Sequence, residues 1–222
     1  MTPTRIVLVA KAPIPGLAKT RLAPVLGVEG AARLARLMFC RALHEARASG
    51  VGSVEIYATP SGADPVWATL SVPPDVAWSE QPEGDLGVRL ASIARRVSEA
   101  GERVLLAGTD CPALDAEAFR LAAASLDRSD AVMLPTFDGG YALLGLRRFS
   151  PALFERIPWS TPGAAHASRE RLRDLGWRLH VGPMVHDIDE PGDLRWLPEG
   201  WTGIGVDREV QGLLTPRRSP SH

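Results

Sequence analysis

The chain has 222 residues, of which 45% are hydrophobic, and this length suits one large domain with a substantial core. Its formal net charge is −1 and its basic residues are dispersed, which excludes the broad basic surface of a nucleic-acid-binding protein. With two distant cysteines and no apolar run long enough for a signal peptide or a membrane span, we expect a cytoplasmic protein without a membrane partner. Oligomeric state is left open.

The first predicted element is a buried strand at 6–10, which runs directly into a loop at 11–22 that is rich in Gly, Pro and basic residues. This loop lacks the glycines that a Walker A loop or a dinucleotide-binding turn needs. We interpret it as a phosphate site that holds its ligand mainly by side-chain charge, although a solvated basic surface loop would have the same composition. Its candidate nucleotide-binding residues are Lys11, Pro15, Gly16, Lys19 and Arg21.

Apolar periodicity predicts an alternation of helices and strands along the rest of the chain. The predicted elements are helices at 28–48, 87–99 and 116–126, and strands at 54–58, 76–78, 104–107, 131–134 and 141–144. This alternation predicts a three-layer α/β/α fold with a mostly parallel, mixed sheet. Ligands of such folds lie at the carboxyl ends of the strands, so motifs that directly follow strands are the candidates for a site.

The segment 81–87 joins a predicted strand to a predicted helix. Its glycines would let a flat base approach the backbone, and the N-terminus of the helix behind it would favour polar ligand atoms. An ordinary strand-to-helix loop is the alternative. The candidate nucleotide-binding residues here are Gln81, Gly84, Leu86 and Gly87.

Two acidic motifs follow later strands. The sequence Gly-Thr-Asp-Cys-Pro at 108–112 puts Asp110 at the carboxyl edge of the sheet, where it would either hold Mg²⁺ or cap a local turn. In Asp-Ile-Asp at 187–189, alternation along an extended chain puts Asp187 and Asp189 on one side and Ile188 in the core. Asp189 or Glu190 would also begin the short helix predicted at 191–197.

The sequence Asp-Gly-Gly-Tyr at 138–141 lies between two predicted strands. Asp-Gly in that position favours a hairpin turn. The functional alternative is that the paired glycines let the backbone close against a substrate.

Six motifs occur in order and together resemble one family. They are Lys-x-Pro-x-Pro-Gly-x-x-Lys-Thr-Arg-Leu at 11–22, Gly-Asp-Leu-Gly at 84–87, Gly-Thr-Asp-Cys-Pro at 108–112, Asp-Gly-Gly-Tyr at 138–141, Trp-Ser-Thr at 159–161 and Asp-Ile-Asp at 187–189. The chain is similar to the radical-SAM/selenodomain-associated transferase 1 family, a domain of unknown function in the nucleotide-diphospho-sugar transferase (GT-A) superfamily. More distantly, it resembles the 2-phospho-lactate and molybdenum-cofactor guanylyltransferases.

The resemblance implies a GT-A fold over residues 1–197, with 198–222 as a C-terminal extension whose last residues are expected to be disordered. It implies that the basic loop binds nucleotide phosphates, helped by Thr109, and that Mg²⁺ or Mn²⁺ lies on Asp110 and Asp189, with Asp187 as a further candidate ligand. The implied acceptor-binding residues are Gly139, Gly140, Tyr141, Trp159, Ser160 and Thr161.

Two reactions fit these residues. In nucleotidyl transfer, a phosphorylated or carboxylate acceptor attacks a nucleoside triphosphate and releases pyrophosphate, with Lys19, Arg21 and Asp110 neutralising charge. In glycosyl transfer from a nucleotide sugar, Asp138 would be the base on an acceptor hydroxyl. The basic loop favours the first reaction, because a metal alone can hold a diphosphate. A nucleotide-binding module without turnover is the third hypothesis.

Overall fold

The computed structural model describes residues 2–197, so the predicted extension at 198–222 lies outside the described residues. Within the described part of the chain, no helix combines the length and apolar character needed to cross a membrane.

Within residues 2–197, a single seven-stranded mixed sheet forms the centre of the fold. Its strands are β1 (Thr4–Lys11), β2 (Ser53–Thr59), β3 (Ala77–Glu80), β4 (Arg103–Gly108), β5 (Ala131–Pro135), β6 (Tyr141–Leu146) and β7 (Leu179–Val181). They are arranged in the order β3-β2-β1-β4-β6-β5-β7. Only β6 runs antiparallel to its neighbours, β4 and β5, and the other pairs are parallel. The predicted mostly parallel, mixed sheet is confirmed.

Four α-helices cover the sheet: α1 (Ala23–Ala48), α2 (Leu86–Glu99), α3 (Ala116–Ser125) and α4 (Ala164–Asp174). Gly27 is non-helical at φ 70°, so regular α1 helix begins after it, as predicted. Asp115 caps α3, because its side chain accepts a hydrogen bond from the backbone N–H of Ala118 at 2.8 Å.

Alternate residues of the central strands pack into two separate cores. Ile6 and Leu8 of β1 pack with α1 and α3 on one face, in a cluster that includes Phe39 and Phe119. Val7, between them, packs with α2 and α4 on the other face. This alternation confirms the three-layer arrangement, since each sheet face is covered by its own pair of helices.

Two elements were not predicted. Helix α4 buries mainly small residues, with Leu172 as its one large buried aliphatic side chain, so its sequence shows little apolar periodicity. Strand β7 has only three residues and lies at the sheet edge. The segment 184–186, which precedes the Asp-Ile-Asp motif, forms only an isolated bridge between Val185 and Thr136.

A third, smaller core anchors the acidic segment that follows β7. Ile188 is fully buried against Leu22, Leu34 and Met38, and the 3₁₀ helix Pro191–Trp196 packs beside it through Leu194. The alternation predicted for 187–189 is confirmed by this burial. The flanking carboxylates are thereby turned away from the core.

Candidate active site

One large cavity, of about 840 Å³, lies at the carboxyl edge of the sheet. The loops after β1, β3 and β4, the β5–β6 turn, the start of α4 and the segment after β7 all contribute to its lining. Its volume falls in the range of small-molecule sites. The site is therefore in the position that the parallel sheet predicts.

Lys19 lines this cavity together with Asp110 and Asp189. Its backbone is left-handed (φ 47°, ψ 43°), which is uncommon for a residue with a side chain. Its side chain is only 8% exposed, and Nζ lies 2.8 Å from Oδ1 of Asp110 and 2.5 Å from Oδ1 of Asp189. One ammonium group thus bridges both predicted metal ligands.

Burial would lower the pKa of the Lys19 ammonium, but the adjacent carboxylates of Asp110 and Asp189 outweigh it and raise that pKa. The cation is therefore held charged in the ligand-free protein.

Backbone contacts fix the two aspartates relative to each other. The N–H of Ile188 donates to the carbonyl oxygen of Asp110 at 3.0 Å, which joins the loop after β4 to the segment after β7. The N–H of Asp189 donates to the carboxylate of Asp193 at 3.1 Å. Glu190 and Asp193 form a capping box at the start of the 3₁₀ helix, so Glu190 has the helix-starting role considered for it.

The donors around Lys19 suit a divalent cation. Across residues 2–197, no group of three or more His, Cys, Asp or Glu side chains is arranged to hold a metal ion. Mg²⁺, however, usually takes only one or two protein carboxylates and completes its shell with water and phosphate oxygens. Asp110 and Asp189 already converge on one cation, so their hard oxygens meet that requirement.

The turn between β5 and β6 presents Asp138 to the cavity. Oδ1 of Asp138 accepts hydrogen bonds from Oγ1 of Thr136 at 2.5 Å and from the N–H of Gly140 at 2.9 Å. The predicted hairpin is confirmed, and the same aspartate lines the cavity. Of the paired glycines, Gly140 also lines the cavity.

Gly139 faces the loop before α4 and does not line the cavity. It has φ 90°, and a side-chain carbon at this position would overlap the backbone of Pro162. Its carbonyl oxygen accepts a hydrogen bond from the N–H of Ala165 at 3.0 Å. Gly139 therefore allows the β5–β6 turn to pack closely against Pro162 and the first residues of α4.

We expect Gly139→Ala to be more destabilising than a glycine substitution that introduces strain alone. Gly101 provides the matched control, because it has φ 77° with open space around it. Gly101→Ala should lower the free energy of unfolding by about 1–2 kcal/mol, and Gly139→Ala by about 1–3 kcal/mol more. Chemical denaturation measures both, and equal losses would show that the turn does not pack tightly against Pro162.

Asp187 lies near the carboxylates of Asp138 and Asp189, and all three side chains line the cavity. Its half-buried position and the negative charges of Asp138 and Asp189 raise the pKa of the Asp187 carboxyl from 3.8 to about 6. A raised carboxyl pKa means that the folded chain disfavours the ionised form. The stability that protonation of Asp187 confers is present below about pH 4 and is lost as the pH rises through about 6.

Asp187→Asn should therefore stabilise the metal-free protein at pH 7.5 and leave it unchanged at pH 4. The rise in the pKa of Asp187 from 3.8 to about 6 corresponds to about 3 kcal/mol of free energy. Because the side chain is half-exposed, solvent screening reduces the expected gain in stability to about 1 kcal/mol. Denaturation of both proteins in EDTA at the two pH values measures the difference. An equal effect of Asp187→Asn on stability at both pH values would show that titration of Asp187 is not the cause of that effect.

On the side of β1 opposite β4, a hydrogen-bond network links Gln81 to Arg89. The amide nitrogen of Gln81 donates to the carbonyl oxygens of Tyr57 at 2.7 Å and Ala10 at 3.2 Å. Its Oε1 accepts a hydrogen bond from Nη1 of Arg89 at 3.3 Å. Both N–H groups of the Gln81 amide are thus occupied by the backbone of β1 and β2.

Trp159 packs directly on the first turn of α2. A side-chain carbon at Gly87 would overlap the indole ring of Trp159, so glycine is what allows this approach. Trp159, Ser160 and Thr161 all line the cavity. The contact links the predicted nucleotide segment to the predicted acceptor segment.

Most predicted site residues line the cavity. The exceptions are Pro15, Gly16, Gly84, Gly87 and Gly139, which belong to contributing loops without lining it. Sequence reasoning missed Arg89, because a basic residue on the polar side of an amphipathic helix is usually solvated. It also missed Thr59, Pro162 and Ala164, whose residue types carry no distinctive signal.

Comparison with known protein families gives one match. A family model described as "Uncharacterized protein conserved in bacteria (DUF2064)" matches residues 42–161, which is more than half of the chain. No curated protein matches the sequence.

Solved structures similar to this chain share its fold. A protein from Desulfovibrio desulfuricans G20, provisionally described as a nucleotide-diphospho-sugar transferase, is 29% identical, with a TM-score of 0.85 and with 96% of this chain and 97% of that chain covered. Rv0371c from Mycobacterium tuberculosis H37Rv, in complex with manganese, is 17% identical, with a TM-score of 0.52 and coverage of 90% and 99%.

A third similar structure is CMP:2-keto-3-deoxy-manno-octonic acid synthetase in complex with CTP. It is 13% identical, with a TM-score of 0.55, and 88% of this chain and 97% of that chain are covered. The predicted fold class, that of the nucleotide-diphospho-sugar transferases, is thus confirmed.

Proposed function

The chain belongs to the DUF2064 family of bacterial proteins, and from the site of this member we propose that it is a transferase acting on a nucleotide. The reaction we propose is nucleotidyl transfer, in which an acceptor phosphate or carboxylate attacks the α-phosphorus of a nucleoside triphosphate and pyrophosphate leaves. The observation that carries this proposal is the bridge from Lys19 to Asp110 and Asp189, three residues that line one large cavity.

Three cations of the segment 11–22, which begins at the end of β1, support a triphosphate substrate. Lys11, Lys19 and Arg21 all line the cavity, and Arg21 is well exposed, with its nearest carboxylate, that of Glu190, at 3.7 Å. Phosphoryl-type chemistry depends mainly on positioning and on neutralising charge, and three cations from one loop suit a chain of three phosphates. A nucleotide sugar, with only two phosphates, would need fewer.

Asp110 and Asp189 are the residues that would hold Mg²⁺ or Mn²⁺. The ion, when bound, would supply charge neutralisation and orientation of the phosphate oxygens. The manganese complex of Rv0371c is consistent with a divalent ion on this fold. Once these carboxylates are engaged, the Lys19 ammonium requires another anion, and a nucleotide phosphate would provide it.

Glycosyl transfer is the second candidate, and Asp138 is the observation in its favour. One oxygen of this carboxylate accepts two hydrogen bonds within its turn, and the side chain lines the cavity beside Gly140 and Tyr141. A positioned carboxylate suits a general base on an acceptor hydroxyl. The similarity to the Desulfovibrio protein also supports this alternative.

The released product distinguishes the two reactions. The purified full chain is incubated with Mg²⁺, each nucleoside triphosphate and a panel of phosphorylated and carboxylate acceptors, and pyrophosphate is measured. A parallel panel of nucleotide sugars and hydroxyl acceptors is assayed for nucleoside diphosphate. We expect pyrophosphate in the first panel, and nucleoside diphosphate from the second panel alone would replace nucleotidyl transfer with glycosyl transfer.

A further inference from the structure

Arg89 is a half-buried cation that lines the cavity and forms no salt bridge with any residue of the described range 2–197. Its guanidinium is nevertheless fixed in place. Nε donates to the carbonyl oxygen of Gly84 at 3.0 Å, and Nη1 donates to Oε1 of Gln81 at 3.3 Å. An unpaired, immobilised guanidinium facing a cavity is prepared to bind a ligand.

The backbone of Arg89 is held as firmly as its side chain. Its N–H donates to the carbonyl oxygen of Asp85 at 3.2 Å, and its carbonyl oxygen accepts a hydrogen bond from Oη of Tyr57 at 3.0 Å. Gln81, which orients the guanidinium, is itself tied to β1 and β2 through its amide nitrogen. The ligand-binding part of Arg89 is thus supported by two strands of the sheet.

Arg89, held by Gln81, and the carboxylate of Asp110 are positioned by strands on opposite sides of β1. In the sheet order β3-β2-β1-β4, Asp110 follows β4 on one side of β1, whereas Gln81 follows β3 on the other. Leu86, three residues before Arg89 on α2, is an aliphatic side chain that also lines the cavity, at 36% exposure. Aliphatic surface beside a planar hydrogen-bonding group suits a flat, apolar-faced ligand with a polar edge.

We infer that Arg89 reads the nucleotide base and selects a base that presents two adjacent hydrogen-bond acceptors. Of its five N–H groups, two are used by Gly84 and Gln81, and the rest can only donate. Guanine offers O6 and N7 side by side, and cytosine offers O2 and N3. This inference rests on the proposed nucleotide-binding function and names the nucleotide class.

The N–H donors of Arg89 disfavour adenine and uracil. Adenine places its amino donor next to N7, so a second donor from Arg89 would meet a donor and not an acceptor. Uracil separates its two carbonyl oxygens by an N–H donor and can accept only one hydrogen bond from a fork. Bidentate recognition of a base typically gives discrimination of about 10- to 100-fold, and we expect a preference of that size over ATP.

Binding of the four nucleoside triphosphates with Mg²⁺ to the full chain, measured by titration calorimetry without acceptor, tests this inference. The wild type should bind GTP or CTP about 10- to 100-fold more tightly than ATP. Arg89→Met keeps the aliphatic stem and should reduce this preference to within about 3-fold, mainly by weakening the preferred nucleotide. Arg89→Lys keeps the charge and should also lose the preference, because it lacks the fork.

The matched control is Arg95→Met, the same change on the exposed face of α2, where the guanidinium lies 5.4 Å from the ring of Phe149. It should leave the base preference unchanged. Equal binding of all four nucleotides by the wild type would overturn the inference. A uniform loss of affinity for all four in Arg89→Met would also overturn it, because Arg89 would then bind phosphate.

The test of base reading and the test of nucleotidyl transfer can give different results. A base preference that disappears in Arg89→Met, without pyrophosphate release from any acceptor, would support base reading and refute nucleotidyl transfer. Pyrophosphate release from all four triphosphates at similar efficiency would support nucleotidyl transfer and refute base reading by Arg89. The melting temperature of each ligand-free variant establishes that it is folded, and Arg89→Lys remains as the test if Arg89→Met is not.

Discussion

Replacement of Lys19 by Met is expected to change catalysis and metal binding in opposite directions. The rate of nucleotidyl transfer should fall by about 10²–10³-fold, because a preorganised positive charge on the phosphates is lost. Affinity for Mn²⁺ in the absence of nucleotide should rise by about 10-fold, because the ammonium no longer competes for Asp110 and Asp189. Titration calorimetry measures metal binding, and pyrophosphate release measures the rate.

Lys11→Met is the charge-matched control for this experiment. Lys11 is the last residue of β1 and lines the same cavity, but it is exposed and forms no salt bridge with any described residue. Its loss should weaken nucleotide binding without increasing affinity for Mn²⁺. Weaker Mn²⁺ binding in Lys19→Met than in the wild type would mean that Lys19 supports the metal site, and competition for the carboxylates would be wrong.

This competition has a consequence for the order of binding. In the ligand-free chain, the carboxylates that would hold the metal are already paired with the Lys19 ammonium, so a free metal ion must compete with this cation for them. A metal ion that arrives with a nucleotide offers Lys19 a phosphate in exchange for the two aspartates. We therefore expect metal and nucleotide to strengthen each other's binding by the same factor, as thermodynamic linkage requires.

Local patterns in the sequence predicted the fold and the acidic residues of the site because each pattern depends on nearby residues. Ile188 illustrates this, since alternation alone placed it in the core and its neighbours Asp187 and Asp189 toward the cavity. The bridge through Lys19 joins residues 170 positions apart. Each charge was identified as a candidate, but which charges meet depends on the packing of the loops after β1, β4 and β7.

The surroundings of Arg89 and Gly139 could not be predicted from local patterns, for different physical reasons. Arg89 looks like a solvated helix residue until Gln81 and Gly84 are seen to fix it. Gly139 was interpreted as a substrate contact, but its left-handed backbone lies against Pro162 and it does not line the cavity. A glycine motif shows that space is needed, and only the packing shows what fills it.

The change of Asp110 to Asn should separate an enzyme from a binding module. The backbone carbonyl of Asp110, which accepts a hydrogen bond from Ile188, is unaffected, and Lys19 keeps its contact with Asp189. The fold should therefore persist. Loss of one metal-binding carboxylate should lower the transfer rate by about 10³-fold, since a metal ion contributes several kcal/mol of charge stabilisation.

Nucleotide binding by Asp110→Asn is measured as the rise in melting temperature with nucleoside triphosphate, with and without Mg²⁺, because this rise follows affinity. In the wild type we expect Mg²⁺ to increase the rise, and in the variant we expect Mg²⁺ to have little effect. Asp75→Asn, which removes an exposed partner of Arg47 on the surface, serves as the matched control and should behave as wild type. If Asp110→Asn retained the full Mg²⁺-dependent rise, Asp110 would not hold the metal, and a binding module would explain the site better than a transferase.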